Sequence, residues 1–230
     1  MALSIGMCGT SLPRAHFSIV IDPGHGGRDV GAPAGIRGRY EKEVALSISK
    51  LLANRLASKR NVSVTLTRGD DRFLSLTERR KIITSCKPNL AVSVHADSGP
   101  PSARGASVYV LNETGEAVVV GRLAGRGTNS SDDEDLTYLL AHLEQRASVN
   151  FAASLAADIH RSLGASDTYA RRPRTANFAM LKSAGIPSIL IETGFISNND
   201  DATRLLDPAY QADIADAIAA PILEVARRRR

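Results

Sequence analysis

Two histidines and a glutamate stand where a sheet edge would gather them. His25 follows the run Ser18-Ile19-Val20-Ile21-Asp22, His95 follows Leu90 to Val94, and Glu192 closes Ser188 to Glu192. Each run reads as a buried strand. In open α/β sheets ligands bind at the carboxyl ends of the strands, so residues far apart in sequence converge at one edge. Two imidazoles and one carboxylate are a common catalytic zinc set that keeps a fourth position for water. The carboxylate must lie near His25 and His95. Glu41 and Glu43, both at the start of the first helix, are the candidates. H-E-x-x-H is absent, which argues against a zinc site borne on one helix. The glycine loop after Asp22 reads poorly as a phosphate cradle. Asp29 replaces the third glycine of G-x-G-x-x-G, and a histidine stands where the phosphate would approach.

The elements that position these residues alternate between short β-rich runs and helical patterns. That order predicts an α/β fold with three layers: a twisted, mostly parallel sheet flanked by helices. Val44, Ile48, Leu51, Leu52 and Leu56 fall at helical spacing within 43–57, and a strand is expected over 62–67. Ser75-Leu76-Thr77-Glu78 is a capping box opening a second helix. A fourth strand is expected over 106–111. Residues 112–147 then break the rhythm and read as a helical insertion. Asn129 to Ser131 is loop-like, and Asp132, Asp133, Glu134 and Asp135 suit the N-terminus of a helix running through Leu136, Leu139, Leu140 and Leu143. A separate core helix is expected from Val149 to Leu163, ended by Gly164. Asp207-Pro208 opens the closing helix.

Composition narrows the class. The chain has 230 residues, enough for one large domain or two small ones, with 43% hydrophobic and 23% charged residues. These ordinary values exclude a disordered, collagenous or disulfide-framework chain. No apolar run reaches the roughly 18 residues needed to span a bilayer. The formal charge is +5, but Arg227 to Arg230 supply four of those charges, so nothing points to nucleic acid. Two cysteines, Cys8 and Cys86, fit either redox compartment. The first sixteen residues lack the length and charge of a signal peptide. A cytoplasmic protein, or one whose native start lies upstream, stays open.

Four motifs in order carry a resemblance: Ile19 to Gly27 (IVIDPGHGG), Glu41-Lys42, Ser93 to Asp97 (SVHAD) and Ile189 to Asn198 (ILIETGFISN). Together they resemble the zinc-dependent N-acetylmuramoyl-L-alanine amidases of the amidase-3 type, over about Ser18 to Ile222. Ala45, where that family often has asparagine, is one departure. The resemblance implies His25, Glu41 and His95 as zinc ligands and Glu192 as the catalytic acid–base. The implied reaction is hydrolysis of the amide between the lactyl group of N-acetylmuramic acid and L-alanine in peptidoglycan, in cell-wall remodelling and daughter-cell separation. The alternatives are a zinc peptidase acting within the stem peptide and a non-catalytic envelope-binding protein.

The resemblance also implies an autoinhibitory insertion displaced by a LytM-type activator; of its acids Asp132, Asp133, Glu134 and Asp135, Glu134 reaches furthest and is the candidate inhibitory metal ligand. Deleting 114–146 is then expected to raise basal activity. Arg171, Arg172 and Arg174 are candidates to meet the carboxylates of a stem peptide. The expected organisation is an arm at 1–17, a catalytic domain at 18–226 and a basic tail at 227–230. A periplasmic or cell-envelope monomer, with no membrane span and no nucleic-acid partner, is expected. His16, His142 and His160 lie outside the motifs and read as ordinary surface residues.

Overall fold

The computed structural model describes residues 4–5, 17–36, 38–125, 131–166 and 168–228, with the backbone alone at 4–5 and 131–134. Its strands are β1 (Ser4–Ile5), β2 (Phe17–Pro23), β3 (Val62–Leu66), β4 (Leu90–Asp97), β5 (Ser107–Leu111), β6 (Arg174–Ala176) and β7 (Ser188–Phe195). They form one sheet in the order β1-β3-β2-β4-β7-β5-β6. Every pairing is parallel except β5 against β7. The helices are α1 (Glu41–Ala57), α2 (Leu76–Cys86), α3 (Glu113–Ala124), α4 (Ser131–Ala165), α5 (Asn199–Leu205) and α6 (Pro208–Arg228). The mostly parallel α/β architecture expected from the alternation of elements is the one observed.

The side-chain period of two sorts the strands into two faces. Ile19, Ile21, Val92, Val94 and Ile191 join the main core with residues of α1, α4 and α6. On the other face Val20 and Ala91 pack with Ile83 of α2 and with Met180, while Tyr109 and Leu190 pack with Val119 of α3. Asp22, Ser93, His95 and Glu192 share this second face by alternation, at the carboxyl ends of their strands. Burying a single Ile or Leu on either face contributes roughly 1.5–3 kcal/mol.

The region after β5 differs from the expectation. One helix, α4, spans 35 residues where a loop-flanked insertion helix and a separate core helix were expected. The stripe joining its halves is Ala141, Gln145, Ser148 and Ala152, all buried at helical spacing. Two of these are polar, which hid the stripe from a hydrophobic pattern. Gln145 is satisfied there, because its Oε1 accepts from the Gly185 amide at 3.1 Å. Gly164 lies inside the helix, with open space around its Cα, and the helix ends one residue later. α1 starts at Glu41, earlier than the apolar pattern alone placed it. Short β6 and α5 carried no periodic signal.

The capping box at Ser75 forms as the sequence predicts. Ser75 Oγ accepts from the Glu78 amide at 3.3 Å, and the Glu78 carboxylate accepts from the Ser75 amide at 2.8 Å. Ser75→Ala removes the cap, costing about 1 kcal/mol. A domain of this size then melts roughly 2–4 °C lower, as thermal unfolding would record. An unchanged midpoint would show that the cap contributes nothing to stability.

Cys86 closes α2 and is disulfide-bonded. The chain's other cysteine, Cys8, lies outside the described residues, as do most of the 1–17 arm with His16, the loop residues Asn129 and Ser130, and Arg229 and Arg230 of the tail. Among the described residues no helix is long and apolar enough to cross a membrane.

Candidate metal and catalytic site

β2 ends in Pro23, and the chain turns through Gly24 to His25, whose φ is 58°. A non-glycine residue in the left-handed region costs of order 1–3 kcal/mol and persists where its surroundings impose it. Glycines permit the close approach here. A Cβ on Gly24 would lie 2.4 Å from the His95 ring, and one on Gly31 would lie 2.7 Å from Glu41 Oε2. Gly31 also has φ +68°, so a side chain there is strained as well as crowded.

These turns bring three sequence-predicted residues together. Glu41 Oε1 is 3.0 Å from His25 Nε2 and 2.8 Å from His95 Nδ1. The rings of the two histidines lie 5.0 Å apart at 83°. One donor atom from each of His25, Glu41 and His95 lies within 4.8 Å of the others, the set that chemistry would assign to a borderline metal such as zinc. Glu43, the other candidate, is not part of the cluster. It pairs instead with Arg39 at 2.6 Å.

Burial opposes the charge on Glu41, but hydrogen bonds from His25 and His95 outweigh it and hold its carboxyl far below the usual carboxylate range. The Ala32 and Ala96 amides also donate to it, at 3.0 and 3.2 Å. At His25 burial pulls downward, while Glu41 and Asp29 together raise the imidazole above its ordinary value. Asp29 takes His25 Nδ1 at 2.8 Å, leaving Nε2 to point at Glu41. A carboxylate behind a ligating histidine orients the ring and raises its basicity. In the sequence Asp29 stands out only as the residue that breaks the glycine pattern of a phosphate loop. Its spacing of four from His25 was the available signal.

Glu192 is the direct β4–β7 partner of His95. It lies outside the donor cluster, and its buried Oε2 has no hydrogen-bond partner among the described residues. Burial first, then the carboxylates of Asp97 and Glu41, push its carboxyl well above the usual range. A carboxyl with a raised pKa beside the donor cluster is suited to proton transfer. Beside His25 and His95 opens a cleft of about 300 Å³ walled by Phe73, Leu74, Leu76 and Met180.

The remaining candidates lie elsewhere. Arg171 stacks on Phe195 at 4.7 Å and donates to the Arg104 carbonyl at 2.8 Å. Arg174 sits 5.9 Å over Tyr109, and Arg172 is exposed. None of the three lines the cleft. His142 and His160 are half-buried on α4, away from the donor cluster.

The described part of the insertion approaches the starting ends of β4 and β7. Glu144, Ala147 and Ser148 meet Pro88, Asn89 and Pro187, which immediately precede β4 and β7. Residues 131–143 add about 20 Å of helix ahead of that contact, at 1.5 Å per residue. No described residue of α3 or α4 lines the cleft. The side chain of Glu134, the expected inhibitory ligand, lies outside the described residues. Val119 and Val120 of α3 are core residues, so deleting 114–146 would remove part of the fold rather than only a plug.

Comparison with known proteins agrees with the geometry. A family model described as N-acetylmuramoyl-L-alanine amidase matches residues 19–224. The chain is 34% identical to a probable N-acetylmuramoyl-L-alanine amidase AmiB of Haemophilus influenzae, over 89% of this chain and 51% of that protein. It is 33% identical to the N-acetylmuramoyl-L-alanine amidase AmiA of Escherichia coli K12, over 94% of this chain and 80% of the relative. Among solved structures, amidase AmiC2 of Nostoc punctiforme superposes with a TM-score of 0.68 at 31% identity, covering 92% of this chain and 98% of that one. The chain thus spans about half the length of the Haemophilus relative.

Proposed function

The chain belongs to the N-acetylmuramoyl-L-alanine amidase family, and from that premise we propose that it is a zinc hydrolase of peptidoglycan. It cleaves the amide between the lactyl group of N-acetylmuramic acid and L-alanine. The observation that carries the reading is the convergence of His25, Glu41 and His95, with Glu192 in strand register beside His95.

His25, Glu41 and His95 are the residues that would hold the ion. Zinc bound there would acidify a water and polarise the amide carbonyl. Asp29 keeps His25 Nε2 facing the site, and the Ala32 and Ala96 amides fix the Glu41 carboxylate. Glu192 takes a proton as the new C–O bond forms and returns it to the L-alanine nitrogen as the C–N bond breaks. One carboxyl serves both steps because it alternates between base and acid. Phe73, Leu74, Leu76 and Met180 supply an apolar wall to the cleft beside His25 and His95.

Digestion of purified peptidoglycan followed by mass spectrometry tests this reading. Intact stem peptides with a free L-alanine amine support it. Shortened peptides indicate a peptidase within the stem, and no release indicates a binding protein. A place in cell-wall remodelling and daughter-cell separation, at the periplasm or cell envelope, belongs to the same proposal. The disulfide at Cys86 suits such an oxidising compartment.

Activation by a LytM-type partner is the regulatory part of the proposal. Its support is the row Leu136, Leu139, Leu140 and Leu143, each more than half exposed on α4. Leu139→Asp with Leu143→Asp is expected to abolish stimulation by such a partner while leaving basal activity unchanged. Stimulation that survives in the double variant would assign the partner to another surface.

A further inference from the structure

Two buried guanidiniums stand behind the His25 loop without a role in the chemistry above. Arg68, just after β3, is fully buried, and Arg79 of α2 is 3% exposed. Charged side chains are almost never this buried unless their donors are matched. Arg79 Nη1 donates to Asp22 Oδ1 at 2.9 Å and to the Pro23 carbonyl at 2.6 Å. Its Nη2 donates to the His25 carbonyl at 2.5 Å and its Nε to the Leu74 carbonyl at 3.0 Å. Arg68 donates from Nε to the Pro23 carbonyl at 3.0 Å and from Nη2 to the Gly24 carbonyl at 2.6 Å. Asp22 supplies the counter-charge and is itself held by Thr67 Oγ1 at 2.6 Å and Ser93 Oγ at 3.0 Å.

The arrangement answers a backbone problem. The chain leaves the sheet at Pro23 and runs through positive φ at His25, Gly26 and Gly27. A buried carbonyl without a partner costs about as much as a lost hydrogen bond. The carbonyls of Pro23, Gly24 and His25 all find their donors in these two guanidiniums. The approach is close: a Cβ on Gly26 would lie 2.9 Å from Arg68 Nε. Burial, then the neighbouring Arg79, pushes the Arg68 guanidinium down to about 10, and it stays charged at neutral pH.

We propose that Arg79, with Arg68 beside it, is the positioning residue of the metal centre. It ties the carbonyls on either side of Gly24 to the Asp22 carboxylate, and so fixes the backbone dihedral that aims His25. The inference rests on the reading of His25, Glu41 and His95 as a zinc site. A lysine cannot replace the fork, since a single ammonium on a flexible stem does not reach Asp22 and two carbonyls in one plane.

Arg79→Lys tests it in the full chain. Cobalt(II) affinity is read from the visible absorption of the bound ion, and hydrogen exchange of amides 24–27 is followed in the metal-free protein. Ile218→Ala, a buried α6 position far from the loop, serves as a control for general destabilisation. The expected result for Arg79→Lys is a loss of about 10–100-fold in cobalt affinity, the usual effect of removing an outer partner. Amides 24–27 should also exchange about tenfold faster or more. The control should melt lower yet leave both readouts unchanged. Cobalt affinity within twofold of wild type with an equally protected loop overturns the inference, and so does a control that moves both readouts as far. If Arg79→Lys does not fold, Arg68→Lys replaces it under the same criteria. A wild-type protein that binds no cobalt, or a His95→Ala variant that binds it undiminished, overturns the zinc reading instead. The exchange measurement then still decides whether Arg79 holds the loop.

Discussion

Glu192→Ala is expected to keep its metal and lose turnover by about 10²–10⁴-fold, the usual contribution of a general acid–base group. The separation of the two effects follows from position. Glu192 neighbours His95 across the β4–β7 ladder but lies outside the cluster of three donor atoms. Its buried Oε2 makes no hydrogen bond among the described residues, so truncation removes no partner from the fold. Glu192→Gln preserves the shape and is expected to fall as far, because an amide cannot shuttle the proton. The checks are metal content by elemental analysis and kcat on soluble muropeptides. Turnover within about threefold of wild type in either variant would move the proton transfer to another group.

The second large effect is loss of metal and activity together. His95→Ala removes one of three protein donors, and activity is expected to drop to background with zinc content near zero. At His25 the residue's φ of 58° calls for a different substitution. His25→Asn is the better choice, because asparagine tolerates the left-handed region and so separates the lost ligand from added backbone strain. Metal binding only to the native state stabilises it by mass action. The rise in melting temperature that added zinc gives the wild type should therefore vanish in both variants. Full zinc occupancy in either one would remove that histidine from the ligand set.

The chemistry-bearing residues were legible for a physical reason. A parallel sheet gathers its strand ends at one edge, and His25, His95 and Glu192 each follow or close a run of β-branched and aliphatic residues. The choice between Glu41 and Glu43 was not legible from spacing. Both lie in the first turn of α1, and only the fold turns Glu41 inward, 5% exposed, while Glu43 meets Arg39 in solvent. Asp29, Arg68 and Arg79 were visible as letters but not as partners. A charge in a sequence reads as surface, and it takes the Pro23–His25 turn to bury two guanidiniums profitably.

By itself, then, the sequence determined the α/β class, the order of five of the seven strands along the chain and three of the side chains proposed for the chemistry, His25, His95 and Glu192, because these depend on local periodicity and residue type. Tertiary structure decided what depends on distant partners. It set the antiparallel direction of β5 against β7 and the inward turn of Glu41. It also joined residues 131–165 into one helix, along whose buried stripe of Ala141, Gln145, Ser148 and Ala152 the Gln145 side chain accepts from Gly185, forty residues away. That fusion also brings Glu144, Ala147 and Ser148 beside Pro88, Asn89 and Pro187, just before β4 and β7, because a continuous helix carries its packed face along the sheet.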